Sequence, residues 1–139
     1  MKGSPLDALL RAVDDLDADA VMALMAADCR FLTVDGRRAV GTEAVRALLG
    51  GFLATLYSTT HRVTAEWHVD DVWIAEVDAG YEFKEDRLRI GNLPRAFVAR
   101  GGADGLSDVR VYGAHEDRLD DNRGSEQGLT LGGRWMPSL

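Results

Sequence analysis

The sequence predicts a single α+β domain in which N-terminal helices pack against an antiparallel sheet. The apolar residues recur with a helical period as far as Tyr57 and then with a period of two through consecutive turn-separated runs. Helices first and hairpins afterwards is the α+β order. The size and composition agree, since 139 residues with 46% apolar and 28% charged side chains suit one folded core.

The helices come first. Ser4 followed by Pro5 reads as an N-cap with proline in the first turn, and Asp7 complements the helix dipole there. Leu6, Leu9, Leu10 and Val13 then share one face. Asp17 caps a second helix whose buried stripe is Val21, Leu24 and Met25. A short strand follows over residues 29–34 and closes on the turn signal Asp35-Gly36. The third helix starts after Gly41 with Thr42 as N-cap and turns Val45, Leu48, Leu49, Phe52 and Leu56 inward. Gly50-Gly51 lies inside that helix at a cost of about 1 kcal/mol each relative to alanine, which predicts close packing or a bend.

The strands follow. In residues 61–69 the odd positions are mostly apolar, and in residues 73–83 Trp73, Ala75, Val77, Ala79, Tyr81 and Phe83 form one face. Glu76, Asp78 and Glu82 fall on the other, polar face. Asp70-Asp71 and Lys84-Glu85-Asp86 mark the turns, and two further strands are expected over residues 94–100 and 107–115. The domain is expected to span residues 1–117, followed by a polar, mobile tail over residues 118–139.

Charge and cysteine content narrow the partners. Sixteen basic against 23 acidic side chains give a formal charge of −7, which disfavours nucleic acid and anionic membrane surfaces. Cys29 is the only cysteine, so neither an internal disulfide nor a cysteine-based zinc site is expected. No stretch approaches the roughly 20 apolar residues of a membrane span, and the N-terminus lacks the apolar run of a signal peptide. A cytoplasmic protein is the expectation.

The order helix, helix, short strand, helix, then a four-strand meander resembles the SnoaL-like branch of the nuclear transport factor 2 superfamily. Local patterns support it. Ala26-Ala27-Asp28-Cys29-Arg30-Phe31 closes the second helix in the family manner, and Gly41-Thr42-Glu43-Ala44-Val45 is similar to its glycine-started third helix. His61-Arg62-Val63-Thr64 and Asp108-Val109-Arg110-Val111-Tyr112 are similar to segments of its sheet. The resemblance covers roughly residues 5–117 and implies a cone-shaped fold, with the helices in the concavity of a strongly curved antiparallel sheet. It also implies a blind, mostly apolar pocket, no metal or organic cofactor, and a homodimer. Phe31, Thr33, Trp67, Phe83, Ala96, Val98 and Val111 are its expected lining. Val72, Ile74 and Tyr112, on the otherwise polar face, are the expected dimer contacts.

The catalytic relatives set a test. An isomerase of this superfamily needs a carboxylate base, a tyrosine and a protonated acid, and the pattern places these at Thr33, Leu9 and Ala96. An epoxide hydrolase of this fold needs an inward arginine between two inward aspartates, whereas alternation turns Arg110 outward. His61, Tyr81 and His115 remain as inward polar groups. An imidazole in an apolar cavity can act as general base, and a tyrosine can donate to a carbonyl oxygen. Two readings stay open: a cofactor-independent cyclase, isomerase or dehydratase acting on an apolar oxygenated metabolite, or a non-catalytic dimeric ligand-binding module.

Overall fold

The computed structural model describes residues 3–113. The order is α1 (Pro5–Asp14), α2 (Ala18–Met22), β1 (Met25–Leu32), β2 (Arg38–Val40), α3 (Thr42–Ala54), β3 (Leu56–Val69), β4 (Val72–Phe83), β5 (Arg89–Gly102) and β6 (Gly105–Gly113). The expected tail and His115 lie outside the described residues.

Local chemistry sets the first two helix starts. The Ser4 side chain accepts from the Asp7 N–H at 3.0 Å, and the Asp17 side chain accepts from the Ala20 N–H at 3.0 Å. The helix α2 stops at Met22, short of the expected stripe, because the chain is drawn into sheet pairing. Leu106 donates its N–H to the Leu24 carbonyl at 2.8 Å, and Met25 pairs with Leu106. Met25 is therefore a strand residue, and β1 begins four positions earlier than its apolar run suggests. The turn at Asp35-Gly36 leads into β2, too short to be seen as a run of its own. Its three residues pair antiparallel with β1 from Arg30 to Leu32. The N-cap of α3 is Gly41 at φ 90° rather than Thr42. Leu56 is fully buried as expected, but as the first residue of β3.

The six strands form one sheet ordered β2-β1-β6-β5-β4-β3. Every pairing is antiparallel except β1 with β6, which is parallel because residues 33–104 intervene and return the chain beside β1 in the same direction. The sheet does not close. Register shifts interrupt β3, β4 and β5, and such bulges bend and twist a strand. The helices cover one face. Leu6, Leu9 and Leu10 of α1 and Val45 and Leu49 of α3 join Phe31, Ala75, Val77, Phe97, Ala99, Val109 and Val111 of the sheet in one core. Among the described residues no helix is long and apolar enough to cross a membrane.

One bulge reverses part of the expected facing. Val63 pairs with Val77, but Glu66 pairs with Ala75 and Trp67 with Ile74, so an extra residue enters β3 near Thr64. Beyond it the even positions face the helices. Trp67 stands on the outer face, 48% exposed, and does not line a cavity as expected. In β5 the inward set is Leu93, Arg95, Phe97 and Ala99, all buried. Ala96 and Val98 are accordingly outward, against expectation. Glu76 is exposed, and Asp78 pairs with Arg62 across the outer face.

Candidate active site

Between the helices and the sheet lies a cavity of about 370 Å³. Side chains of the helices and of the sheet's inner face frame a space that none of them fills. Its apolar wall includes Phe31, Leu49, Phe52, Phe83, Phe97 and Val111, contributed by α3 and several strands. Of the expected lining, Phe31, Thr33, Phe83 and Val111 contribute to the wall, and so do His61 and Tyr81. Trp67, Ala96 and Val98 do not, for the reasons of register given above.

His61 is the best-fixed polar group in the wall. It enters from β3, where it pairs with Ala79, and its side chain is only 2% exposed. Asp14, the last residue of α1, holds it in two ways. One carboxylate oxygen lies 2.7 Å from the ring Nδ1, and the other accepts the His61 backbone N–H at 3.2 Å. Against an ionised carboxylate, which only accepts, Nδ1 is the donor, and in a neutral ring Nε2 is then left with its lone pair. The ring packs edge-on against Phe97 and Tyr81, with centroids 5.5 and 6.1 Å away. Position and orientation are thus both fixed.

Tyr81 and Arg95 stand beside this dyad. The Tyr81 ring also meets Phe52 edge-on at 5.8 Å, which pins the hydroxyl's direction. Burial holds the Tyr81 ionisation above its ordinary value, the charge and side-chain interaction of Arg95 pulling the other way. The phenol therefore stays a donor through neutral pH. Arg95 is buried and donates from Nη1 to the Pro94 carbonyl at 3.1 Å. It pairs in register with Gly113, where a Cβ would lie 2.4 Å from the Pro94 oxygen and 3.2 Å from Nη1. The Pro94 backbone is the hard obstacle to a side chain at this position, and the Arg95 side chain fills the space beside it.

At one side of the cavity Thr33, Asp35 and Arg37 form a closed turn. The Thr33 hydroxyl bonds Asp35, and Arg37 Nε donates to both Asp35 oxygens at 3.0 and 3.2 Å. Thr33 is thus engaged locally. Arg110 is turned away from the cavity wall and pairs with Asp108 at 2.9 Å, as alternation predicts. Among the described residues no three His, Cys, Asp or Glu side chains cluster as metal ligands.

Asp14 and Arg95 were not singled out in the sequence, yet each left a trace there. An acid in the last turn of a helix opposes the dipole, and Asp14 sits there one turn beyond Leu10. Arg95 alternates with Leu93, Phe97 and Ala99, a cation on an apolar stripe.

A one-sided sheet, few helices and a framed apolar cavity define the pocket-bearing α+β class to which ketosteroid isomerase-like proteins belong. Residues 6–119 match the SnoaL-like domain, and the chain belongs to that family. No curated protein matches the sequence. Solved structures share the fold at low identity. A Catenulispora acidiphila protein of ketosteroid isomerase-like fold, crystallised with trimethylamine, is 18% identical over 81% of this chain and 86% of its own, with a TM-score of 0.72. A Shewanella denitrificans protein assigned as a SnoaL-like polyketide cyclase is 9% identical over 87% and 96%, with a TM-score of 0.73. An epoxide hydrolase of the limonene type from Mycobacterium tuberculosis is 18% identical over 86% and 85%, with a TM-score of 0.68. Among the described residues, the inward neighbours of Arg95 along and across the strands are Leu93, Phe97, Val77 and Gly113, none of them an acid, and Arg37, the other arginine of the wall, pairs with Asp35, so an arginine between two inward aspartates is not found there.

Proposed function

We propose that this chain is a cofactor-independent acid–base catalyst, of the cyclase, isomerase or dehydratase type, acting on an apolar oxygenated small molecule. The observation that carries the reading is the Asp14–His61 pair in the wall of the cavity. His61 Nε2 takes a proton from carbon next to a carbonyl, and Asp14 stabilises the imidazolium that forms. Tyr81 donates to the carbonyl oxygen as negative charge develops on it. The imidazolium then returns the proton to another carbon, to the alkoxide formed when the enolate carbon closes on a second carbonyl, or to the departing hydroxyl group, which leaves as water. His115 is proposed as a further acid–base group. The working form is proposed to be a cytoplasmic homodimer joined through the outer sheet face. The binding-module reading has no comparable support, because a ligand site needs no imidazole oriented by a carboxylate that also holds the same residue's backbone N–H.

The test needs no natural substrate. 5-Nitrobenzisoxazole is small beside a cavity of about 370 Å³ and opens when a base removes the one C–H proton of its isoxazole ring, a nitrile forming as the N–O bond breaks to give a coloured phenolate. The wild type should accelerate this opening, and His61→Ala should lower the rate by at least about tenfold, a floor set below the roughly 10² to 10⁴ that a general base contributes. Equal rates for both proteins would remove His61 from the mechanism and favour a binding module.

A further inference from the structure

We infer that Gly50 and Gly51 set the range of molecules the cavity accepts, by letting the last turn of α3 give way to ligands wider than the resting space of about 370 Å³. The inference rests on the reading of this cavity as a small-molecule site and adds the residues that determine its specificity.

Two adjacent glycines inside a helix call for a reason. Each costs stability relative to alanine, because glycine recovers more backbone freedom than any other residue when the helix unwinds. Packing supplies no reason, since a Cβ at either position would meet no heavy atom within 4 Å, and neither residue has a positive φ. What the pair does is divide α3. On its N-terminal side Val45 and Leu49 belong to the core shared with the sheet. On its C-terminal side Phe52 and Leu53 line the cavity, and Leu53, though buried, lies outside that core.

The far end of the helix is tied down separately. The Lys84 N–H donates to the Thr55 carbonyl at 2.9 Å, and Leu56 is fully buried at the start of β3. A single turn therefore lies between two fixed points, and it carries side chains that close the cavity on that side. The helix packs chiefly against α2, β1 and β2, whereas Tyr81, Phe83 and Phe97 of the facing wall stand on β4 and β5. Phe52 spans the gap and meets the Tyr81 ring edge-on at 5.8 Å. Pushing this turn outward breaks that ring contact and a few helix hydrogen bonds, at the positions where glycine makes unwinding least costly. Alanine at both positions would keep the same resting cavity and stiffen its wall, because neither glycine lines the space.

Fluorescence titration of the full chain with two neutral naphthyl ketones tests this. Both carry the 6-(dimethylamino)-2-naphthyl fluorophore, the narrow one with a propionyl group and the wide one with a cage-shaped adamantanecarbonyl group. The wild type should bind both. In Gly50→Ala/Gly51→Ala the wide ketone should bind at least about threefold and up to about 30-fold more weakly, the upper figure being the helix propensity of two alanines converted to an affinity ratio. The narrow ketone should keep its affinity. Adding Phe52→Ala to the double variant removes the ring that has to move, and should restore the wide ketone while near-ultraviolet circular dichroism shows the fold retained. Equal losses for the two ketones, no loss for either, or no restoration in the folded triple variant would overturn the inference. So would a wild type that binds the narrow ketone alone. A wild type that binds neither would overturn the small-molecule reading together with it.

Discussion

Replacing Gly50 and Gly51 by alanine should stabilise this protein. Both lie within α3 with no positive φ, and an added Cβ at either would meet no heavy atom within 4 Å. Close packing, one of the two explanations their sequence position suggests, is therefore excluded. Nothing offsets the helix-propensity gain, which is about 1 kcal/mol for each replacement. Adjacent helix positions point in different directions and share no partner here, so the double variant should gain about 2 kcal/mol. For a chain of this size that corresponds to a rise in Tm of roughly 3–5 °C per kcal/mol. Urea unfolding followed by circular dichroism measures it, with an unchanged m value showing that only stability moved. A loss of stability in either single variant, or a double variant no better than wild type, would refute the reasoning. The position also has a consequence for the site. Leu48, Leu49, Phe52 and Leu53 of the same helix line the cavity, so its wall is built on a deliberately weak helix. Hydrogen exchange of the α3 amides should slow in the double variant, by up to the same free energy.

Three further outcomes are expected. Asp14→Asn should lower 5-nitrobenzisoxazole turnover by between about 10- and 10⁴-fold while leaving the fold intact, because the imidazole loses the anion that sets its tautomer and stabilises its charged form. Stability should fall as the pH drops from about 4.5, measured by Tm from pH 5 to 2.5. The Arg87 hydrogen bond lowers the Glu82 pKa, the Gly3 N–H lowers that of Asp7, and at Asp35 burial acts upward but the Thr33 and Arg37 bonds prevail. The folded state thus binds fewer protons than the unfolded state in that window. The stabilisation is present above the ordinary carboxylate range, is lost as the pH falls through the lowered values, and should be smaller in Glu82→Gln. Light scattering should report a homodimer that Trp67→Glu dissociates, since Trp67, Ile74 and Val98 lie side by side on the outer face with Tyr112 nearby. A wild-type mass near 15.1 kDa at micromolar concentration would reject that assembly.

The α+β order was legible because the helical and strand periods are local properties, and Ser4 and Asp17 act on N–H groups only three residues away. Element ends were less legible where distant partners decide them. Met25 has the composition of a helix stripe, yet pairing with Leu106 makes it strand. The site divided in the same way. His61 and Tyr81 could be placed inward by alternation, since both precede or escape the β3 bulge. Trp67 lies beyond that bulge, and one inserted residue exchanges the faces of everything after it. In β5 both faces carry apolar residues, and the charge of Arg95 argues for solvent when read alone.

The pattern of side chains by itself determined that helices would cover one face of a sheet and that an imidazole would stand on that face. Those outcomes follow from periodicity and burial, which act residue by residue. Only the tertiary structure decided that Asp14 reaches His61 across 47 positions of sequence, and that Gly113 leaves room for Arg95. Those contacts depend on how α1 packs against the bent sheet and how β6 pairs within it. A bend made by bulges is set by the balance of pairing over the whole sheet, and no local run of residues encodes it.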